Sequence, residues 1–80
     1  MNALMIGNAS LNVVKETKLA YLLSNLDFHR NTQAWFPKSG LDYQYDVTWA
    51  DGTVAGRYHM KAWLFDRLTH EQEIVLGRVL

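Results

Sequence analysis

The sequence predicts a small α+β domain in which an antiparallel β-hairpin over residues 43–60, alone or with a third strand, packs against an N-terminal and a C-terminal helix. Three observations point there. Asp51-Gly52 separates two stretches of strand-like composition. Leu19, Leu22, Leu23 and Leu26 recur upstream at helical steps, and Thr69-His70-Glu71-Gln72 has the form of a helix start.

With 80 residues, the chain is a single domain, 1–80, and buries only about 60–65% of the surface that its unfolded form exposes. Domains this small commonly gain stability from a disulfide, a metal or a second copy of themselves. Cysteine is absent, which removes disulfides and thiolate ligands and leaves a homodimer as the open route. Hydrophobic residues make up 49%, a folding composition rather than that of a disordered tail. Eight basic residues balance eight acidic ones, so the totals carry no long-range attraction to nucleic acid or to an anionic membrane. Met1–Ile6 lacks the basic start and cleavage site of a signal peptide, and no apolar run approaches membrane-spanning length. The expectation is a soluble, cytoplasmic protein.

From Leu11 to Leu26, the residues Leu11, Val14, Leu19, Leu22, Leu23 and Leu26 predict a helix, with a wide gap after Val14. Ser10 and Thr17 are both candidate caps. If Thr17 is the cap, Ser10–Val14 is a short strand instead. Asp27–Leu41, with Asn31, Pro37, Ser39 and Gly40, reads as a loop pinned by Trp35 and Phe36, or as the place of a third strand.

In the hairpin, Asp51-Gly52 suits a two-residue turn that needs positive φ. Pairing outward from it sets Trp49 opposite Val54, Val47 opposite Gly56, Tyr45 opposite Tyr58 and Tyr43 opposite Met60 on one uncharged face. The other face then carries Ala50 opposite Thr53, Thr48 opposite Ala55, Asp46 opposite Arg57 and Gln44 opposite His59. Both helices are expected to cover the uncharged face. Gly52→Val is expected to destabilise the fold, and Arg57→Ala to leave it nearly intact. Lys61–Leu68 either continues the strand or makes a helical turn that carries Trp63, Leu64 and Phe65 inward. Thr69 and Gln72 then form a capping box, and Ile74, Val75, Val79 and Leu80 give the last helix an apolar side that Gly77 weakens or opens to another backbone.

Catalytic and cofactor chemistry finds no support in these residues. His29, His59 and His70 are not at the spacing of paired zinc ligands. Ser10, Ser24 and Ser39 lack an elbow motif, and the five glycines form no phosphate loop. No enzyme, metal or cofactor is expected. The one feature with a claim to function is Arg57-Tyr58-His59-Met60-Lys61, in which Arg57, His59 and Lys61 alternate onto one solvent-facing side as a short basic ridge. His29 and Arg30, after the first helix, add to it. The competing structural account is a solvated strand face on which Asp46 neutralises Arg57.

Tyr43-Gln-Tyr-Asp-Val-Thr-Trp-Ala-Asp-Gly52 with Val54-Ala-Gly-Arg-Tyr58, preceded by Tyr21-Leu-Leu-Ser-Asn-Leu-Asp27, resembles the core of a large polyvalent protein-associated domain over roughly residues 19–66. Relatives of that kind sit inside long phage and plasmid proteins, whereas this chain has 80 residues and an aromatic loop at Trp35-Phe36. The resemblance implies a mobile-element origin, acting in the cytoplasm of a bacterial host. A small non-catalytic protein of that origin is similar in kind to anti-CRISPR inhibitors. The partner so implied is a protein, a CRISPR effector complex whose recognition of target DNA is blocked, with Arg57, His59, Lys61, Arg30 and His29 as contacts. The alternatives are a nucleic-acid-binding or autoregulatory protein, in which the ridge meets phosphates, and a self-associating assembly module.

Overall fold

The structure, a computed structural model, describes residues 3–25 and 32–78. Six strands occupy them: β1 (Ala3–Ile6), β2 (Ala9–Glu16), β3 (Ala20–Asn25), β4 (Gln33–Pro37), β5 (Leu41–Thr48) and β6 (Val54–Met60). Two short helices follow, α1 (Ala62–Phe65) and α2 (His70–Val75). Strands account for 54% of the described residues and helical turns for 19%. The expected hairpin between two helices is therefore overturned by a six-stranded mixed sheet in the order β4-β3-β2-β1-β6-β5.

The N-terminal helix is the largest correction. Residues 11–25 form two antiparallel strands, with Leu11 opposite Asn25, Val13 opposite Leu23 and Glu16 opposite Tyr21. Leu11, Val13, Tyr21 and Leu23 pack into the core, and Ser10, Asn12 and Ser24 alternate with them, a period of two rather than 3.6. The helical reading leaned on Leu19, which lies in the turn between the strands and is 75% exposed. Thr17 caps no helix. Its hydroxyl accepts from the Ala20 amide at 3.1 Å and holds the turn, the same local chemistry used in a different element. The short-strand alternative for Ser10–Val14 falls inside β2. Leu26 and the start of the expected loop, with His29 and Arg30, lie outside the described residues.

The third strand is β4, paired to β3. It places Phe36 inward, fully buried, and Trp35 outward, 44% exposed, so only one of the two aromatic pins enters the core. A three-residue 3₁₀ turn, Lys38–Gly40, then joins β4 directly to β5. Those strands are the two edges of the sheet. Five strand spacings would separate them by about 24 Å in a flat sheet, yet four residue steps reach at most about 14 Å. The sheet must roll, bringing its edges together as an incomplete barrel. Contacts across the inside agree: the Tyr21 and Tyr58 rings, from β3 and β6, lie 6.3 Å apart. The concave interior holds Leu4, Ile6, Leu11, Leu23, Phe36 and Leu41, and Leu64 of α1 and Val75 of α2 close it.

The β5–β6 hairpin exists, in a different register. The Gly52 amide donates to the Trp49 carbonyl at 2.9 Å and the Trp49 amide to the Thr53 carbonyl at 2.7 Å, so three residues form the loop instead of two. Thr48 therefore faces Val54, Val47 faces Ala55, Asp46 faces Gly56 and Tyr45 faces Arg57. A bulge at Gln44 shifts the pairing again and sets Tyr43 against Tyr58 and Leu41 against Met60. The expected Asp46–Arg57 pair does not form, and the uncharged face breaks up. Gly52 adopts φ +88°, where an L-residue is strained by about 1–2 kcal/mol and a β-branched one more. A side chain there meets nothing within 4 Å. Gly52→Val is thus expected to lower stability by about 2 kcal/mol through the backbone alone, to be read from the urea midpoint, and Gly52→Asn to recover much of it.

The capping box forms as expected: the Thr69 hydroxyl accepts from the Gln72 amide, and the Gln72 side chain accepts from the Thr69 amide. The helix is shorter than its apolar pattern implied. Gly77, at φ +75°, reverses the chain after Leu76, and the Arg78 amide donates back to the Glu73 carbonyl at 2.9 Å, a C-terminal cap rather than a weak interior position. Val79 and Leu80 lie outside the described residues. The helix rests on β4 and β3, away from the hairpin it was expected to cover. Lys61–Leu68 makes the helical turn, and of the three apolar residues expected inward only Leu64 is buried; Trp63 and Phe65 stay about half exposed.

Candidate binding site

The basic ridge starts from β6, which lies between β1 and β5. Cross-strand partners share a face, so Arg57 stands beside Met5 of β1 and Tyr45 of β5 on the outer, convex side, and His59 stands opposite Asp42. Arg57 is half-buried and His59 exposed. Lys61 does not continue the row. It lies past the end of β6, as the residue before α1, and its ammonium sits 3.7 Å from the Asp42 carboxylate. Of the five predicted site residues the structure therefore brings two together on one strand face and neutralises the third. His29 and Arg30 are outside the described residues.

Two ion pairs form among the described residues, Lys61–Asp42 and Lys38–Glu16, so Arg57 has no carboxylate partner there. Around it the outer face carries side chains that the ridge alone did not suggest. Tyr45 is 54% exposed. Trp49 lies across β1, its indole N–H on the Met5 sulfur at 3.4 Å. Trp35 stands farther off, on β4 beside Leu22, with three strands between it and β6. Polar Ser10, Asn12 and Gln33 fill the intervening positions. The one-residue slip in the hairpin is what moved Tyr45 and Val47 onto this side, and the extra loop residue that causes it was not readable from Asp51-Gly52.

Both sheet edges are guarded against strand addition. β4 is short, ends in Pro37, and its Trp35 carbonyl is taken by the Gln72 side-chain amide at 2.7 Å. β5 carries the Gln44 bulge and the carboxylates Asp42 and Asp46, the latter accepting from the Tyr43 hydroxyl at 2.9 Å. Bulges and charges of this sort disfavour edge pairing. The route to self-association through the hairpin edge has no support in this geometry.

A cleft opens where β1 stops at Ile6 while β6 runs on to Met60. Its volume is about 590 Å³, and it is bounded by the Gly7-Asn8 turn, Asn25, the bulge residue Gln44 and the end of α2. Arg78, which the Gly77 reversal brings back toward α1, stacks its guanidinium 4.2 Å from the centre of the Phe65 ring. Arg78 was not singled out in the sequence, and Phe65 only as an inward residue; a glycine just past a helix was the available signal. Among the described residues no group of three or more His, Asp or Glu side chains is placed to hold a metal ion, and no helix is long and apolar enough to cross a membrane.

Tyr58 sits at the inner wall. Its hydroxyl is 3.5 Å from that of Tyr21, and burial, then that hydrogen bond, push its pKa up to about 12. The neutral phenol is favoured in the fold. Its contribution to stability is therefore fully present below the ordinary tyrosine value near 10 and is lost as pH rises from about 10 to about 12. Alkaline unfolding is expected inside that window, followed by circular dichroism and tyrosinate absorbance, and Tyr58→Phe should move it to higher pH. Unfolding completed below pH 10, or an unchanged transition in Tyr58→Phe, would sink that account.

Compared with family models, characterised proteins and solved structures, the chain matches none of them.

Proposed function

We propose that this chain is a non-catalytic binding protein that occupies a partner protein through the outer face of its rolled sheet. The observation that carries the reading is the grouping of exposed Tyr45, half-buried Arg57 and exposed His59 on adjacent strands, with Trp49 nearby on Met5. Tyrosine, tryptophan and arginine are the side chains that carry most energy at protein interfaces. Zero net charge suits a protein surface better than a polyanion, and the guarded edges favour docking by the face over strand addition. The resemblance to domains of phage and plasmid proteins makes a bacterial defence complex the proposed partner, with a CRISPR effector's recognition of target DNA as the step blocked in the host cytoplasm.

The test is a pull-down of the tagged protein from cells expressing CRISPR effector complexes, run with and without nuclease at two salt concentrations. Co-purification that survives both treatments is expected, reduced about tenfold by Tyr45→Ala or Arg57→Ala in proteins that melt like the parent. That no carboxylate among the described residues pairs with Arg57 favours nucleic acid as the second reading; recovery of nucleic acid alone, lost at high salt, would replace the first with it. Recovery of neither would refute this partner.

A further inference from the structure

We propose that the cleft beside β6 is a small-molecule site for an amphipathic organic anion, an apolar body bearing an acidic group. The site adjoins the outer face at Arg57, which borders both. Its position follows from strand length: β1 pairs with β6 only as far as Ile6 opposite Tyr58, so among the described residues no strand pairs with the last residues of β6 on that side and a cleft opens there. Mouths of incomplete barrels are a recurrent place for small ligands, and about 590 Å³ lies within the range of such sites.

The walls state the chemistry of the occupant. Ile6, Tyr58 and Met60 contribute apolar surface continuous with the core. Arg57 and Arg78 are the permanently charged residues among the described lining, which includes no aspartate or glutamate. Neither arginine belongs to the two ion pairs formed among the described residues. Arg78 beside an apolar wall, with Arg57 at the rim and no carboxylate in the described lining, favours a ligand that brings its own negative charge. Arg78 is also pre-organised. With its guanidinium stacked on Phe65 at 4.2 Å, less side-chain freedom is lost when its N–H edge meets an oxyanion.

The probe is 8-anilinonaphthalene-1-sulfonate, titrated into the folded full chain by fluorescence, with neutral N-phenyl-1-naphthylamine as the same body without the sulfonate. Saturable one-to-one binding of the anion is expected, at least tenfold tighter than the neutral compound. Amide resonances of Ile6, Tyr58 and Met60 should shift with it. Arg78→Gln should weaken the anion at least tenfold and leave the neutral compound unchanged, and Arg78→Lys, which keeps charge without the planar stack, should fall between. Equal binding of the two probes, an anion affinity indifferent to Arg78→Gln in a protein with the parent's amide spectrum, or shifts confined to other surfaces would overturn the assignment. Arg57 borders both surfaces, whereas Tyr45 is absent from the cleft lining and Arg78 from the outer-face group, so Tyr45→Ala in the pull-down and Arg78→Gln in the titration let the two proposals fail separately.

Discussion

Phe36→Ala is expected to cost about 4 kcal/mol and to lower the thermal midpoint by about 16–32 °C. Phe36 is among the largest fully buried side chains and packs in the cluster with Leu4, Leu11, Leu23 and Val75. It comes from an edge strand that reaches the interior only because the sheet rolls. Truncation removes a ring from the one place where β3, β4 and α2 meet, and small domains collapse poorly around a lost aromatic. An 80-residue domain has a total stability of about 4–12 kcal/mol, so the variant should be partly unfolded at physiological temperature. Circular dichroism melts and urea titration decide it. A loss under about 1.5 kcal/mol would mean that β4 is not seated inward and that the closure linking β4 to β5 is wrong.

The roll is also what the residues concealed. Local chemistry was legible: a chain reversal at Asp51-Gly52 and the Thr69–Gln72 capping box are both where their side chains predict, whereas Pro37, expected in a loop, ends strand β4. Each depends on bonds within four residues. The N-terminal helix failed because Leu19, Leu22 and Leu23 satisfy a helical spacing and a strand–turn–strand pattern equally, and the choice is made by partners distant in sequence: β2 gains β1 on its other side, and β3 gains β4. The parallel pairing of β1 with β6, about fifty residues apart in the chain, has no local signal at all. The site followed the same division. Alternation placed Arg57 and His59 on one face, but whether Arg57 faced a carboxylate turned on one extra loop residue, and Arg78 became relevant only through the reversal at Gly77.

Gly40→Val carries the second large expectation, a loss of about 3 kcal/mol, at the upper end of overpacking costs. Gly40 is buried at the point where the 3₁₀ turn passes under α1, and its carbonyl accepts from the Lys61 amide at 2.9 Å. A Cβ built there lies 2.6 Å from Leu64 Cδ2, 3.0 Å from Leu64 Cβ and 3.2 Å from the Trp63 ring. Rotating the Leu64 side chain relieves only the first of these. Contact with the Leu64 Cβ requires α1 itself to move, and Leu64 is the one buried residue of that helix. Alanine should therefore already destabilise, and valine more, in contrast to Gly52, where open space leaves backbone strain as the whole cost. The displacement should also reach the cleft, because α1 carries the Phe65 ring on which Arg78 stacks. Urea midpoints for Gly40→Ala and Gly40→Val give the first effect, and anilinonaphthalene sulfonate affinity of the folded fraction the second. A valine variant as stable as the parent would show that α1 does not rest on this glycine.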